Sequence, residues 1–274
     1  MKLFLAIVLT TLLISHQAIA NSSLTEVGHW QFALSAGTGK VTTPLSNRDD
    51  LHGSILPAIS YYGEHFYIEN SVVGYSLVEN AHWYIDLVGS LNDDGLFFEL
   101  DGINQFGWWD AMGQHPSNGN PTEQEIFQDI ERNLSYMGGM SFNWLNDLAD
   151  SRLTLLKDIS GVHEGSELHL TLRKNYSYQQ WTFQWQVGAI RKSQRLNNYY
   201  YNLRPYELDN TPSWFSLPSS IQYFFGLHLI YQLTPEFAIQ AFWQKNQLDE
   251  VLLRSPLVRS DYYYSRFIGV RYSF

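Results

Sequence analysis

The sequence predicts an all-β chain: a transmembrane, antiparallel, up-and-down β-barrel of about twelve strands. Three observations lead there. The last eleven residues alternate, with Tyr264, Arg266, Ile268, Val270, Tyr272 and Phe274 on one side and Ser265, Phe267, Gly269, Arg271 and Ser273 on the other. That is the two-residue period of a strand with one mostly apolar face. Aromatic residues make up 16% of the chain, including nine Trp and eighteen Tyr, while charged residues are also only 16%, against about 25% in soluble domains. Beyond the N-terminal segment, no apolar run approaches the ~20 residues of a transmembrane helix. Hydrocarbon cannot satisfy backbone hydrogen bonds, so a sheet crosses it only when closed.

Residues 1–20 read as a secretory signal peptide: Lys2, an apolar stretch from Leu3 to Ile14, and the small-residue cleavage site Ala18-Ile19-Ala20. The apolar stretch is short for a bilayer span. Residues 21–274 form the expected barrel domain. The chain has no cysteine, which excludes disulfides and a lipid-modified cysteine. Its net charge of −10 argues against nucleic acid, which is bound through basic patches.

Strands of about 9–11 residues are needed to span. The first runs from 30 to 37, with Trp30, Phe32, Leu34 and Ala36 on one face. Less regular runs follow at 54–62, 65–77, 82–91 and 96–104. The run 134–143 sets Leu134, Tyr136, Met140 and Phe142 against Ser135, Gly139, Ser141 and Asn143. Another less regular run covers 152–159. Then come Leu168, Leu170 and Leu172; Trp181 to Ala189 at every second position; Tyr223 to Tyr231 likewise; Phe237 to Trp243; and the terminal strand. Glutamine, glycine and serine recur on the second face, as suits a wet or hydrogen-bonded lumen.

Twelve strands, an even number, place both termini on one side, expected to be the periplasm. The connections on that side then become 62–64, 92–95, 145–151, 175–180 and 234–236, all short. The opposite loops become 38–53, 78–81, 105–133, 160–165, 191–219 and 246–262. Long outer loops and short periplasmic turns are the pattern of such barrels.

The closing strand, with Tyr272 two residues before the terminal Phe274, resembles the end of bacterial outer-membrane barrels, where it is the signal for the barrel-assembly machinery. Four phrases resemble the MipA/OmpV family, named for an MltA-interacting protein. They are Leu56-Pro57-Ala58-Ile59-Ser60-Tyr61-Tyr62-Gly63 followed by Phe66; Asp158-Ile159-Ser160-Gly161-Val162-His163-Glu164-Gly165; Asn198-Tyr199-Tyr200-Tyr201; and Ser255-Pro256-Leu257-Val258 before Gly269 to Phe274. The stretch 104–133 departs from the family pattern, and the segment after Tyr201 looks reworked. The resemblance implies a Gram-negative outer-membrane location among outer-membrane lipids, no cofactor and no catalysis. It implies a scaffold joining a murein transglycosylase to a murein synthase. The expected topology leaves few periplasmic residues for such contacts, against the ~800 Å² per partner of a standard interface.

Several side chains invite sharper readings. His115-Pro116-Ser117-Asn118-Gly119 resembles a phrase of outer-membrane phospholipases, with His115 as base and Ser117 as nucleophile. Pro116 and the following Gly119-Asn120-Pro121 favour a polar surface loop instead. His163, Glu164 and Asp158 suggest a cation or acid–base site. One histidine and two carboxylates are too few to specify a metal, and Gly161 and Gly165 favour a tight turn. Asn92-Asp93-Asp94-Gly95 resembles the start of a calcium loop but lacks the later bidentate Glu, so a hairpin turn is expected. Trp108, Trp109 and Trp214 fall in expected outer loops, where packing over the barrel mouth is preferred to sugar stacking. Arg173, His169, Gln184, Gln186, His228, Gln240 and Arg271 are expected to face the lumen, as a hydrogen-bonded plug or as the lining of a narrow pore for small polar solutes.

Overall fold

A lipid-facing wall requires apolar side chains at every second position, and the computed structural model of the chain is built on that alternation. It describes residues 27–46, 48–99, 130–204, 207 and 216–274. Residues 1–26, including the expected signal peptide, and residues 100–129, including His115, Ser117, Trp108 and Trp109, lie outside them, as does Trp214. Twelve antiparallel strands close into one barrel, each bonded to its chain neighbours and β1 to β12. They are β1 (Trp30–Val41), β2 (Leu51–Tyr62), β3 (Phe66–Glu69), β4 (Val72–Glu79), β5 (Trp83–Leu91), β6 (Tyr136–Trp144), β7 (Asp150–Asp158), β8 (Ser166–Tyr178), β9 (Trp181–Lys192), β10 (Ser220–Gln232), β11 (Phe237–Gln247) and β12 (Tyr262–Ser273). Among the described residues, two helices, α1 (Asp93–Glu99) and α2 (Gln194–Tyr201), and a 3-10 turn (Glu250–Arg254) sit in the connections.

The strand count agrees with the sequence reading, but two of the expected strands do not. The stretch 65–77 is not one strand. It folds back as the β3–β4 hairpin about Asn70-Ser71, where Asn70 takes a φ of 53°. Asparagine tolerates that left-handed conformation better than most residues. Asn70 also pairs with β2, its N–H donating to Ile59 O and its Oδ1 accepting from Ile59 N–H. The stretch 96–104 is not a strand where it is described, because Leu96, Phe97 and Phe98 belong to α1. One strand gained and one lost leave twelve. The connections between them change ends: 80–82 is a short turn on the side of the termini, and 92–95 opens the long connection on the other side.

With that correction the ends differ sharply. The lower end, which carries both termini, has turns at 63–65, 80–82, 145–149, 179–180 and 233–236. The upper end has the connections 42–50, 92–135, 159–165, 193–219 and 248–261, and only the Asn70 turn is short there. The hairpin is also low. Strand β3 pairs with β2 only at Ser60, Tyr61 and Tyr62. Above Ile59, no described residue pairs with the other edge of β2, where Pro57 has no N–H to leave unbonded.

The outer wall is apolar. Leu34, Ile59, Leu87, Met140, Leu155, Leu170, Phe225, Ile239 and Ile268 are all exposed. Near the lower end, neighbouring strands pair their rings: Trp30 with Tyr61 at 5.0 Å, Trp181 with Tyr231 at 4.5 Å and Phe237 with Tyr272 at 4.8 Å between centroids. Aromatic side chains of this kind favour the headgroup zone. Phe274 is pinned beside them, its N–H donating to Phe32 O at 2.9 Å.

Candidate functional site

The upper lumen is filled by the chain's own connections. Leu45, Phe97, Phe98, Ile130, Leu196, Tyr200, Tyr201, Leu217, Leu252, Leu257 and Tyr263 pack into one buried cluster. It draws on α1, α2, the 3-10 turn and the tip of the β1–β2 connection, where Leu45 bridges to Val258. This is an ordinary hydrophobic core, set inside a barrel whose hydrophobic surface faces outward.

Helix α1 starts at Asn92, not in a hairpin turn. Asn92 Oδ1 accepts from Asp94 N–H at 3.0 Å and Gly95 N–H at 3.2 Å, the work of an N-cap side chain. Its Nδ2 donates to Glu167 on β8 at 2.9 Å. Asp94 takes no part in a calcium loop. Lys192 Nζ donates to both its carboxylate oxygens, at 2.6 and 2.7 Å, and Tyr201 Oη donates to Oδ1 at 2.6 Å. Lys192 and Asp94 are 3% and 2% exposed. Burial at this level demands a partner for each charge, and the pair ties α1 to the barrel wall. Arg132, also buried, fastens α2: its guanidinium donates to Tyr199 O and Asn202 O and forks onto Glu207 at 2.6 and 3.0 Å. A cation there also suits the negative end of the helix.

The turn 159–165 is a clasp. Asp158 Oδ1 accepts from Ser160 N–H, Ser160 Oγ and Gly161 N–H, and Oδ2 accepts from His163 N–H at 2.7 Å and Glu164 N–H at 2.9 Å. Five donors thus converge on one carboxylate. Gly161 has a φ of 75°, and a side chain on Gly165 would come within 2.7 Å of His163 Nδ1 and 2.9 Å of Leu196. His163 Nδ1 accepts from Gly165 N–H at 2.9 Å, and Nε2 lies 3.0 Å from Ser135 Oγ. The ring meets Tyr199 and Tyr200 of α2 at 6.0 and 5.5 Å. Asp158, His163 and Glu164 therefore hold a turn and dock a helix. Among the described residues no group of three or more metal-binding side chains converges.

Burial holds the His163 imidazole below its ordinary pKa of 6.5, against the opposing pull of Asp158, Glu167 and Asp94. Protonation would have to fall on Nδ1, which accepts a backbone N–H. A folded-state pKa below the unfolded one means that the unfolded chain binds the extra proton first. The stability held by neutral His163 is therefore full above pH 6.5 and is lost as pH falls below it. Thermal unfolding between pH 7.5 and 5 should show this loss, and it should shrink in His163→Gln. An equal pH dependence in that variant would assign the titration elsewhere.

Beneath the plug lies a cavity of about 470 Å³ that reaches the lower turns at Leu145 and Asp150. Its roof is Asp93, Leu96 and Phe97 of α1, together with Tyr263. Asp93 has its carboxyl raised, first by desolvation and then by Glu167 nearby. The walls include Tyr84, Arg152, His169, Arg173 and Gln186. Arg152 Nε donates to Asn143 at 2.5 Å, and His169 pairs with Glu167 at 2.7 Å. Arg173 makes no hydrogen bond or ion pair among the described residues. Tyr67 lies flat over Gly74, where any side chain would collide with its ring, and its hydroxyl reaches Asp86 at 3.1 Å. Gln184 and His228 line a smaller hollow with Gln186. Gln186 donates to Gln244 at 2.8 Å and Gln240 to Ser35 at 2.8 Å. Arg271 keeps a buried Nε with no partner among the described residues. The arrangement is a vestibule roofed by α1 and lined toward the lower end by Leu145 and Asp150, with Arg152 and Arg173 on its wall.

The sequence reading named Asp94 only within the phrase that resembles a calcium loop, and it did not single out Lys192, Arg132 or Arg152. A lone lysine closing the inward face of 181–192 was the one available signal, since an inward Lys demands an anion.

The family model described as MltA-interacting protein MipA matches residues 32–274. No curated protein matches. Among solved structures, the chain is similar to OmpT, an outer membrane protein of Vibrio cholerae, at 8% identity over 91% of this chain and 100% of that one, with a TM-score of 0.37. It is similar to an anion-selective porin from Comamonas acidovorans at 10% identity, covering 90% and 99%, TM-score 0.34. The CymD monoaromatic hydrocarbon channel gives 11% identity, 90% and 88%, TM-score 0.32.

Proposed function

Because the chain belongs to the MltA-interacting protein family, we propose that it is a plugged outer-membrane barrel acting as a non-catalytic interaction protein. In this reading the signal peptide is cleaved and both termini stand in the periplasm. The lower end engages a murein transglycosylase and, through it or beside it, a murein synthase. The observation that carries the reading is the filled upper lumen beneath a family match that spans the barrel. A wall sealed by an ion pair and a hydrophobic layer is a poor conduit. Three of the four phrases that resemble the family lie in or against the plug: the Asp158 clasp, the tyrosines of α2, and Leu257-Val258. They account for the architecture and not for the partner. The lower turns are small, so the vestibule is the surface best able to add contact area, by receiving a partner side chain or segment.

The test is retention. Folded protein is immobilised and solubilised envelope extract is passed over it. Capture of a transglycosylase, lost when 145–149 and 233–236 are altered, is the expected result. Capture of neither a transglycosylase nor a synthase would remove the scaffold role. A second reading, a narrow channel for small polar solutes, rests on Arg173, which makes no hydrogen bond or ion pair among the described residues, and on the unpartnered Nε of Arg271. It requires conductance in planar bilayers whose ion selectivity changes in Arg173→Gln; the plugged reading expects none at rest. The third, an interfacial lipid hydrolase using His115 and Ser117, requires lipid cleavage that Ser117→Ala abolishes.

A further inference from the structure

The outward faces of seven consecutive strands, β7 to β12 and then β1, carry no carboxylate at all. Yet they carry five cations near the upper end: Lys40, Lys157, Arg191, Lys245 and Arg266. In a chain of net charge −10, that segregation is not a by-product of composition. The pairing registers set Lys40 beside Arg266 and Arg266 beside Trp243. They set Lys245 beside Phe225, Arg191 beside Leu168, and Lys157 beside Ser166. With a rise of about 3.3 Å per residue, strands about 4.8 Å apart and a tilt of roughly 40°, all five fall within roughly 5 Å of one height.

Four of them, Lys157, Arg191, Lys245 and Arg266, are exposed and have no ion-pair partner among the described residues. Lys40 shares Asp50 at 2.7 Å with Arg259 at 3.8 Å. Two stand against tyrosine rings: Lys245 lies 4.9 Å from the centroid of Tyr262, and Arg266 5.8 Å from that of Tyr264. A cation beside an amphipathic ring is an interfacial arrangement, with the stem against hydrocarbon and the head toward water. The lower end differs: the outward cation of these strands there is Lys174 alone among the described residues, already bonded to Asp147 O. The upper connections also bring carboxylates, of which Asp50 holds Lys40, Glu164 pairs with Arg195, and Asp249 and Asp261 accept from their own connections and the adjoining strand ends.

We propose that this arc binds the phosphate groups of anionic lipid in the leaflet at the upper end. Unpaired guanidinium and ammonium groups at headgroup depth match phosphate, bidentately for arginine and as a point charge for lysine. The proposal rests on reading the wall as bilayer-spanning, which is tested separately by the slower gel mobility of the boiled protein.

The experiment uses the full folded chain in mixed micelles of lipopolysaccharide, phosphatidylglycerol and phosphatidylcholine. Lipid retained after exchange is identified by native mass spectrometry. The wild type should retain the phosphate-bearing anionic lipids over phosphatidylcholine. Each single change among Lys157→Gln, Arg191→Gln, Lys245→Gln and Arg266→Gln should lower that preference by about fivefold. The quadruple variant should lose it while keeping the heat-dependent mobility shift, and Lys174→Gln should keep it. Retention of lipopolysaccharide in excess of phosphatidylglycerol would place the source in an outer leaflet. An unchanged preference in the quadruple variant would overturn the proposal, and so would an equal loss in Lys174→Gln. Displacement of the lipid by inorganic phosphate at the same concentration would also overturn it, since the site would then be a general anion surface.

Discussion

Asp94→Ala should cost the folded barrel about 3–5 kcal/mol. The substitution removes the carboxylate that, among the described residues, accepts from the Lys192 ammonium, which stays buried on β9, and it orphans the Tyr201 hydroxyl as well. The cost comes mainly from the stranded charge and not from the lost attraction, and that distinction is testable. Replacing both partners, as Asp94→Leu with Lys192→Met, removes the stranded charge and should recover most of the loss. Urea unfolding in lipid vesicles measures both, provided the slopes agree between variants. A loss below about 0.5 kcal/mol in Asp94→Ala would mean that water already reaches Lys192 and that the plug is wetter than its burial indicates. The same variant carries a functional consequence. If the ion pair holds α1 over the vestibule, its loss should give conductance where the plugged reading expects the wild type to show none.

Asp158→Ala should be nearly as severe, at about 3 kcal/mol, because four backbone N–H groups and the Ser160 hydroxyl lose one shared acceptor. Asp158→Asn should fall between. It keeps the Oδ1 acceptor for Ser160 and Gly161 but turns an N–H donor toward His163 N–H and Glu164 N–H. The effect should not stay in the turn, since His163 packs on Tyr199 and Tyr200 and so docks α2. Fluorescence of the plug tyrosines and the unfolding midpoint should therefore change together. A variant that loses stability with α2 still docked would show the clasp and the plug to be separate units.

Read at the level of residues, the sequence carried most of the wall. Strands β1 and β8 to β12 were legible because one face meets lipid and the other the lumen. That difference imposes a strict two-residue period with no tertiary knowledge. The errors fell where the period is ambiguous. From Phe66 to Tyr75 the alternation runs through the turn, and only the positive φ at Asn70 reveals a reversal. At Leu96-Phe97-Phe98 a short apolar run fits a strand or a buried helix equally, and the helix is chosen by the Asn92 cap and the hydrophobic layer above it. The Asp158 segment was legible as a turn, since its hydrogen bonds are local. Arg173, His169 and Gln186 were singled out as inward-facing polar residues, but nothing local told which would be bonded and which left free.

What the sequence determined by itself, then, is the closed apolar wall, because the two-residue period follows from the solvent on each side of a strand; the count of twelve agreed because one strand gained offset one lost. What only the tertiary structure decided is that the barrel is filled. Lys192 and Asp94 are 98 residues apart, and Tyr201 and Asp94 are 107 apart. Contacts at that separation leave no periodic trace in the chain. They exist because closing the barrel brings its upper connections over one lumen, where each buried charge must find the partner that water no longer supplies.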